Sequence, residues 1–500
     1  MPSTSDQNTL ADGALPPVLF PGANSTERRR LAELKAAGRI RPVGPRLYVS
    51  VPESDTAETL KKTWSTIVAR LFPDAFITHR TALEFRPSPA GEIFINASSN
   101  REVNYPGLVL KFIRGPGPLD DDPKFLTIRS SSLPRAFLEN LSTGRASESR
   151  VLPIEELEAR LEKILHVGGE AEINSLRDRA REIADELGWK AEIKRLDALV
   201  GTLLGTRSGK VSSAIAQARA AGEPFDASCL ERLQILFADL RNPTPGVLDS
   251  FTAPDHVKNK AFFESYFSNY IEGTTFEVSE AEEIIFDKKI PANRPKDAHD
   301  IAGTFAIVSD QGEMRRTPHE LDELIHLMCS RHETMMAKRP EAEPGRFKTE
   351  PNRAGDTRFV HPDYVRGTLR KGLELYLGLD VGLPRAIFIA FLVSEVHPFV
   401  DGNGRTSRMM MNAELVSRGL STIIIPTVFR DDYLQALRAL SRRNRPGPFV
   451  EAMIRAQKFS NLEFSPYPSI LKDVTRRNWF REPDEARIVE GTLAAVDRTG

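Results

Sequence analysis

The stretch HPFVDGNGRTSR, residues 397–408, decides how the chain is read. Twelve residues hold a histidine, an aspartate, two glycines around an asparagine, and two arginines three positions apart. Before it runs LPRAIFIAFLVSEV (383–396), an apolar helical pattern with proline in the first turn, where a missing N–H is tolerated. After it, RTSRMMMNAELVSRG reads as a second helix beginning at Arg405 and stopped by Gly419. The motif is therefore a turn feeding a helix N-terminus. Gly402-Asn403-Gly404 can take the positive backbone angles that align successive N–H groups into an anion-binding nest. The dipole of the following helix points at the same place. Arg405 adds fixed positive charge in a fork that matches phosphate oxygens.

His397 and Asp401 extend the reading from binding to chemistry. A histidine beside a phosphate cradle can accept a proton from an attacking hydroxyl near neutral pH. Asp401 offers a hard oxygen to a magnesium ion that also holds phosphate oxygens. Phe399, between them, is expected to turn inward as an apolar anchor. Taken singly, DGNG is an ordinary turn and His-Pro a helix end. Their meeting in one loop at the opening of a helix is what favours a working site.

The rest of the chain bounds this reading. At 500 residues it exceeds one ordinary core and suggests about three domains. Lys plus Arg number 68 against 69 Asp plus Glu, a formal net charge of −1, so no global pull toward nucleic acid or membrane is expected. Cys229 and Cys329 lie far apart without CxxC spacing, which suits a reducing, cytoplasmic setting and argues against a disulfide framework or structural zinc. The first residues show no secretory pattern, and no apolar run approaches the roughly 20 residues of a membrane span. The longest, AIFIAFLV at 386–393, reads as a buried helix.

Residues 1–23 read as a disordered tail. NSTERRRLAELKAAG then reads as a helix, with Asn24 and Glu27 at capping-box spacing, followed by a hairpin turned at Val43-Gly44-Pro45. EIFINAS, LVLKFIR and FLTIRS read as strands, and 133–242 as almost entirely helical, ending at an NPTPG joint.

At every fixed position, HPFVDGNGRTSR matches H-P-F-x-D-G-N-G-R-x-x-R, so the chain resembles the Fic family. The resemblance implies transfer of AMP from ATP to a Ser, Thr or Tyr hydroxyl of a target protein. It implies His397 as general base, Asp401 as the magnesium ligand, and Gly402, Asn403, Gly404 and Arg405 as the phosphate cradle. Arg408 would reach the γ-phosphate, and Asn412 and Tyr433 would border the adenosine. Family members that act as kinases resemble a variant with lysine in place of the second glycine, whereas this chain has Gly404. GRFKTEPNRAGDTRFVHP (345–362) resembles the family's flap, a hairpin that holds an extended target segment by strand addition. Gly345, Arg346, Phe347, Thr357, Phe359 and Val360 are its candidate docking residues.

Upstream, AFFESYFSNYIEGTTF has apolar residues at helical spacing, with Gly273 as the stop. Ser268 and Glu272 are four apart and face the same way. Glu272 then sits in the last turn, where the helix dipole disfavours a carboxylate by about 0.3–1 kcal/mol. A solvated glutamate is the plain reading. Ser268, Glu272 and Gly273 also match (S/T)-x-x-x-E-(G/N), the inhibitory helix of Fic proteins, which implies that Glu272 pairs with Arg408 and blocks the γ-phosphate.

Residues 24–46 carry seven Arg and Lys against two Glu, and helix plus hairpin resemble the end of an antitoxin-type winged helix. DNA contact through this basic region and docking of a target protein are both open.

The expectation is a mainly α protein. A disordered tail (1–23) leads into a small winged-helix-like α/β domain (24–132) and a helical region (133–245). An all-helical Fic core with a β-hairpin flap (246–460) and a C-terminal extension (461–500) follow. The expected function is a magnesium-dependent, self-inhibited protein AMP transferase, with oligomer formation open. Alternatives are a DNA-binding regulator with a Fic domain, another nucleotide donor, or AMP removal.

Overall fold

A computed structural model describes residues 15–482 apart from 126, 144–148, 208–210, 243 and 356. The fold is mainly α, as the sequence pattern implies, and it divides into two compact units, 1–220 and 221–500.

In the first unit, Asn24 caps the helix Ser25–Ala36 by accepting from the Glu27 N–H. Strands β1 (Val18–Leu19), β2 (Arg41–Gly44) and β3 (Leu47–Val49) make an antiparallel sheet in the order β1-β3-β2. Because β1 pairs with β3, the stretch expected to be disordered is ordered at Val18 and Leu19, whose side chains are buried. Residues 1–14 of that expected tail lie outside the described residues. A second, mixed sheet contains β4 (Phe76–Ile77), β5 (Glu92–Ala97), β6 (Arg101–Tyr105), β7 (Leu108–Arg114), β8 (Lys124–Phe125) and β9 (Ile128–Ser130), ordered β6-β7-β5-β4-β9-β8. The strand-like segments noted in the sequence are β5, β7 and β9. Strand β6 escapes a hydrophobic reading because it is an edge strand whose first two residues are exposed. Beyond the sheets, the helices Ile154–Leu187 and Lys190–Leu203 bury Leu157, Leu161, Leu196 and Val200 in their own core.

The second unit is built around the helix Leu383–Val396, which is buried along nearly its whole length. An apolar helix with no polar face must be surrounded. The helices Ala227–Leu240, Val365–Leu377 and Asn403–Ser417 pack against it and share one core through Leu236, Leu369, Phe388, Phe391 and Met411. The helix Pro254–Ile271 packs into a separate aromatic core with Phe464, Ile470 and Trp479. Residues 461–482 of the expected extension thus complete this unit, and 483–500 lie outside the described residues. A short hairpin, β10 (Arg353–Ala354) with β11 (Thr357–Arg358), stands where the sequence places a flap.

Candidate active site

The loop 397–402 joins the central helix to the helix Asn403–Ser417, and its shape follows from three local constraints. His397 ends the first helix in the left-handed region, at φ 53°. Gly402 caps the second helix at φ 76°, where a Cβ would meet Met335 Cε at 2.9 Å, so the position calls for glycine on both counts. Asn403 turns its amide back into the loop, accepting from the Phe399 N–H at 2.9 Å and donating to the Phe399 carbonyl at 2.8 Å.

The expected nest is therefore only partly glycine geometry. Of the three residues Gly402-Asn403-Gly404, only Gly402 has a positive φ; Asn403 and Gly404 are already helical. The backbone ladder begins with Thr406 donating to the Gly402 carbonyl. The N–H groups of Asn403, Gly404 and Arg405 are the orphan first-turn donors, a helix N-terminus of the kind that suits an anion.

Phe399 turns inward, fully buried, and stacks on His332 with ring centroids 3.9 Å apart. His332 has no counterpart in the motif and nothing in the sequence singles it out. Its Nδ1 accepts from the Gly345 N–H at 3.0 Å, which leaves Nε2–H to donate to the Asp401 carbonyl at 2.9 Å. Burial, the main cause, lowers the His332 pKa to about 4, in keeping with a neutral ring bridging loop and flap. Lys348 donates its N–H to the Pro398 carbonyl at 2.9 Å and its ammonium to Asn352 Oδ1 at 2.7 Å, while Asn352 Nδ2 donates to the Phe399 carbonyl at 3.0 Å. Burial pulls the Lys348 ammonium down to about 8.

The His397 ring lies against Phe359 at 3.6 Å between centroids, nearly parallel. Its Nδ1 is 3.2 Å from the Ser394 carbonyl. Desolvation lowers the pKa to about 4, so near neutral pH the ring is uncharged. An uncharged ring whose Nδ1–H donates to Ser394 presents the Nε2 lone pair as an acceptor.

Asp401 is exposed, and its Oδ1 accepts from the Gly402 N–H at 2.6 Å. No group of three or more His, Cys, Asp or Glu suited to hold a metal occurs among the described residues. A lone exposed carboxylate at an anion seat fits a magnesium ion carried largely by phosphates. Arg405 is buried, donating to Asp300 at 2.8 Å and Asn269 at 3.3 Å, with its Nη2 3.8 Å from Asp401. Asp300, fully buried, is shared with Arg339, a link between distant residues that no local pattern signals.

Arg408 meets the end of the helix Pro254–Ile271. Its Nε donates to Ser268 Oγ at 3.0 Å, and its Nη2 to the Ser268 carbonyl at 2.8 Å and to Glu272 Oε1 at 2.7 Å. Burial opposes the charge of this guanidinium, but Glu272 and Tyr433 outweigh it and raise the pKa above the ordinary arginine value. Gly273, at φ 87°, ends the segment. A Cβ on Gly404 would collide with Glu272 Oε1. His397, Gly404, Arg408, Glu272, Phe359 and Tyr433 all line one cleft of about 420 Å³.

The other candidates divide. Tyr433 is buried at the cleft wall. Asn412 is buried, with Nδ2 donating to the Ile423 carbonyl and Oδ1 accepting from its N–H, and its side chain also hydrogen-bonds Glu264, so it is held in place on the side away from the cleft lining. In the flap, Phe359 and Thr357 reach the cleft, and Arg442 donates to the Thr357 hydroxyl at 2.8 Å. Phe347 packs edge-on against Phe399, and Val360 is buried in the core. Arg346 is exposed, and Gly345, at φ 74°, holds the turn beside His332.

Comparison with known proteins agrees with the motif. Residues 321–415 match the Fic/DOC family. Among curated relatives, the protein adenylyltransferase fic-1 of Caenorhabditis briggsae is 24% identical over 209 residues, 40% of this chain and 40% of its own length. The protein adenylyltransferase Fic of Nematostella vectensis is 26% identical over 207 residues, 40% of this chain and 47% of its own. The chain thus matches less than half the length of these relatives. Among solved structures, Fic-1 (residues 134–508) from C. elegans aligns with a TM-score of 0.37 at 17% identity, over 64% of this chain and 99% of that one.

Proposed function

From the premise that the chain carries a Fic/DOC-family domain, we propose that it is a protein adenylyltransferase. The observation that carries this is the opening of the neutral His397 ring into the same cleft as the N-terminus of the helix Asn403–Ser417. In the proposed reaction, a hydroxyl oxygen of the target attacks the α-phosphorus of ATP and His397 Nε2 takes its proton. The bond from the α-phosphorus to the bridging oxygen breaks, and pyrophosphate leaves. The first-turn N–H groups of residues 403–405 hold phosphate oxygens, and positioning with charge neutralisation does most of the work. Asp401 would hold magnesium, which when bound neutralises phosphate charge. The hairpin β10–β11 would present the target as an added strand, with Phe359 fixing the plane of the base.

The same reading makes Glu272 a lock. Its carboxylate occupies the guanidinium of Arg408, the group proposed to hold the γ-phosphate, and abuts Gly404. Incubation with α-labelled ATP tests both parts: the Glu272→Gly variant should label protein above wild type, and adding His397→Ala should abolish it. Label retained by the double variant would overturn His397 as base, and equal labelling of wild type and Glu272→Gly would overturn the lock.

A further inference from the structure

A second cavity, of about 260 Å³, opens beside the first turns of the helix Pro254–Ile271, away from His397. Asp249, His256, Lys260, Glu264, Met314 and Arg315 are among its lining. None of these belongs to the proposed transfer machinery. Three come from one helix at intervals of four, the spacing that stacks side chains along a single row.

The charges in this cavity are two of each sign but unevenly paired. Lys260 is already satisfied: its ammonium donates to Asp249 Oδ2 at 2.6 Å and to Ser421 Oγ at 3.0 Å. Glu264, only 7% exposed, has no cation at ion-pair distance among the described residues. Burial is the main cause that raises its carboxyl to about 7, while hydrogen bonds from the Asn412 and Thr422 side chains and the nearby Lys260 charge act the other way. A carboxyl held near neutrality inside a cavity lacks the counter-ion that would favour its charged form. His256 is 1% exposed; its Nδ1 accepts from the Phe464 N–H, and its Nε2 has no hydrogen-bond partner, with Asp249 Oδ1 3.7 Å away. At the mouth, Arg315 is exposed and without an ion-pair partner among the described residues. Val308, Met314 and Leu420 give the remaining wall an apolar face.

We propose that this cavity binds a small zwitterion of amino-acid size, its ammonium on Glu264, its carboxylate toward Arg315 and its hydrocarbon against Val308 and Met314. The pattern matches ligand sites in general, which are mostly apolar with a few convergent polar groups. A lone carboxylate ligand would face Glu264 and Asp249, and a purely apolar one would leave His256 Nε2 without a partner and Glu264 without a counter-ion. The site stands independently of the adenylyl-transfer reading.

Calorimetric titration of the full chain with leucine, methionine, n-butylamine and hexanoate tests it. Leucine or methionine should bind at one site, n-butylamine more weakly, and hexanoate not at all. The charged and titratable groups facing Glu264 are Lys260 and His256 from its own helix, Asp249 from the segment before it, and Arg315 from the facing turn. Ionisation of Glu264 predicts that affinity rises about tenfold between pH 6 and pH 8. Glu264→Gln should weaken binding at least tenfold and flatten that dependence. Arg315→Ala, an exposed change that folding tolerates, should weaken leucine but leave n-butylamine unchanged. No binding of leucine, methionine or n-butylamine to wild type at 10 mM overturns the proposal. So does hexanoate binding as tightly as leucine, or an Arg315→Ala variant that weakens both ligands equally.

Discussion

As the proposed base, His397 would act in its uncharged form, and that has a measurable consequence. A base acts only when deprotonated, and burial holds this ring's pKa at about 4. The labelling rate of the Glu272→Gly variant should therefore stay flat from pH 7.5 to about 5.5 as far as His397 is concerned, and fall as pH drops through 4. A fall centred near 6.5, the value of an unperturbed histidine, would mean that the ring is not desolvated in the working enzyme. Glu272 yields a second expectation. A hydrogen bond between charged groups is worth about 1.5–3 kcal/mol, so losing it should raise nucleotide affinity by roughly ten- to a hundredfold. Titration of wild type and Glu272→Gly with ATP measures this directly. At this scale the sequence was informative where residues are adjacent. His397, Asp401, Gly402 and Arg408 are legible because one twelve-residue stretch holds them all. His332, Lys348, Asn352 and Asp300 were not, since each reaches the loop from a distant segment through a single backbone or carboxylate contact.

Among elements, the hairpin β10–β11 is the one whose sequence reading needed the most context. Its paired residues are few and mostly exposed, so neither period nor hydrophobicity marks it, and only its position before the motif does. The structure adds how the flap is tied down. Asn352 and Lys348 hold the carbonyls of Phe399 and Pro398, and Phe359 covers His397. Replacing Asn352 with alanine removes one of these ties and should cost about 1 kcal/mol of stability. The larger expected effect is on labelling of the target, which should fall more than ATP binding does. Equal losses in both would show that the tie serves the nucleotide side instead. The helix Leu383–Val396 was legible for the opposite reason. A run apolar on every face has no stable place except a core.

For the whole molecule, three desolvated histidines contribute to the response to acid. Burial lowers the pKa values of His79, His332 and His397 to about 4, below the 6.5 of an unfolded chain. Each prefers the neutral form when folded, so its contribution to stability is complete above pH 6.5 and is lost progressively as pH falls toward 4. Thermal unfolding should show a midpoint that drops across that window, and the drop should be smaller in a His332→Gln variant. Tertiary burial of this kind is absent from the sequence, which shows nine histidines without saying which are wrapped. The helix that ends at Glu272 is likewise wrapped from afar: Phe267 packs on Trp479 and Phe480, and Tyr266 on Phe480. A Phe480→Ala variant, which loosens this packing while keeping the core residues Phe464, Ile470 and Trp479, should therefore label more strongly than wild type. The same packing sets an order in time. A ribosome completes residues 397–408 before it makes the aromatic residues that seat the helix carrying Glu272, so on the proposed reading the stretch that does the chemistry precedes the packing that would secure its restraint.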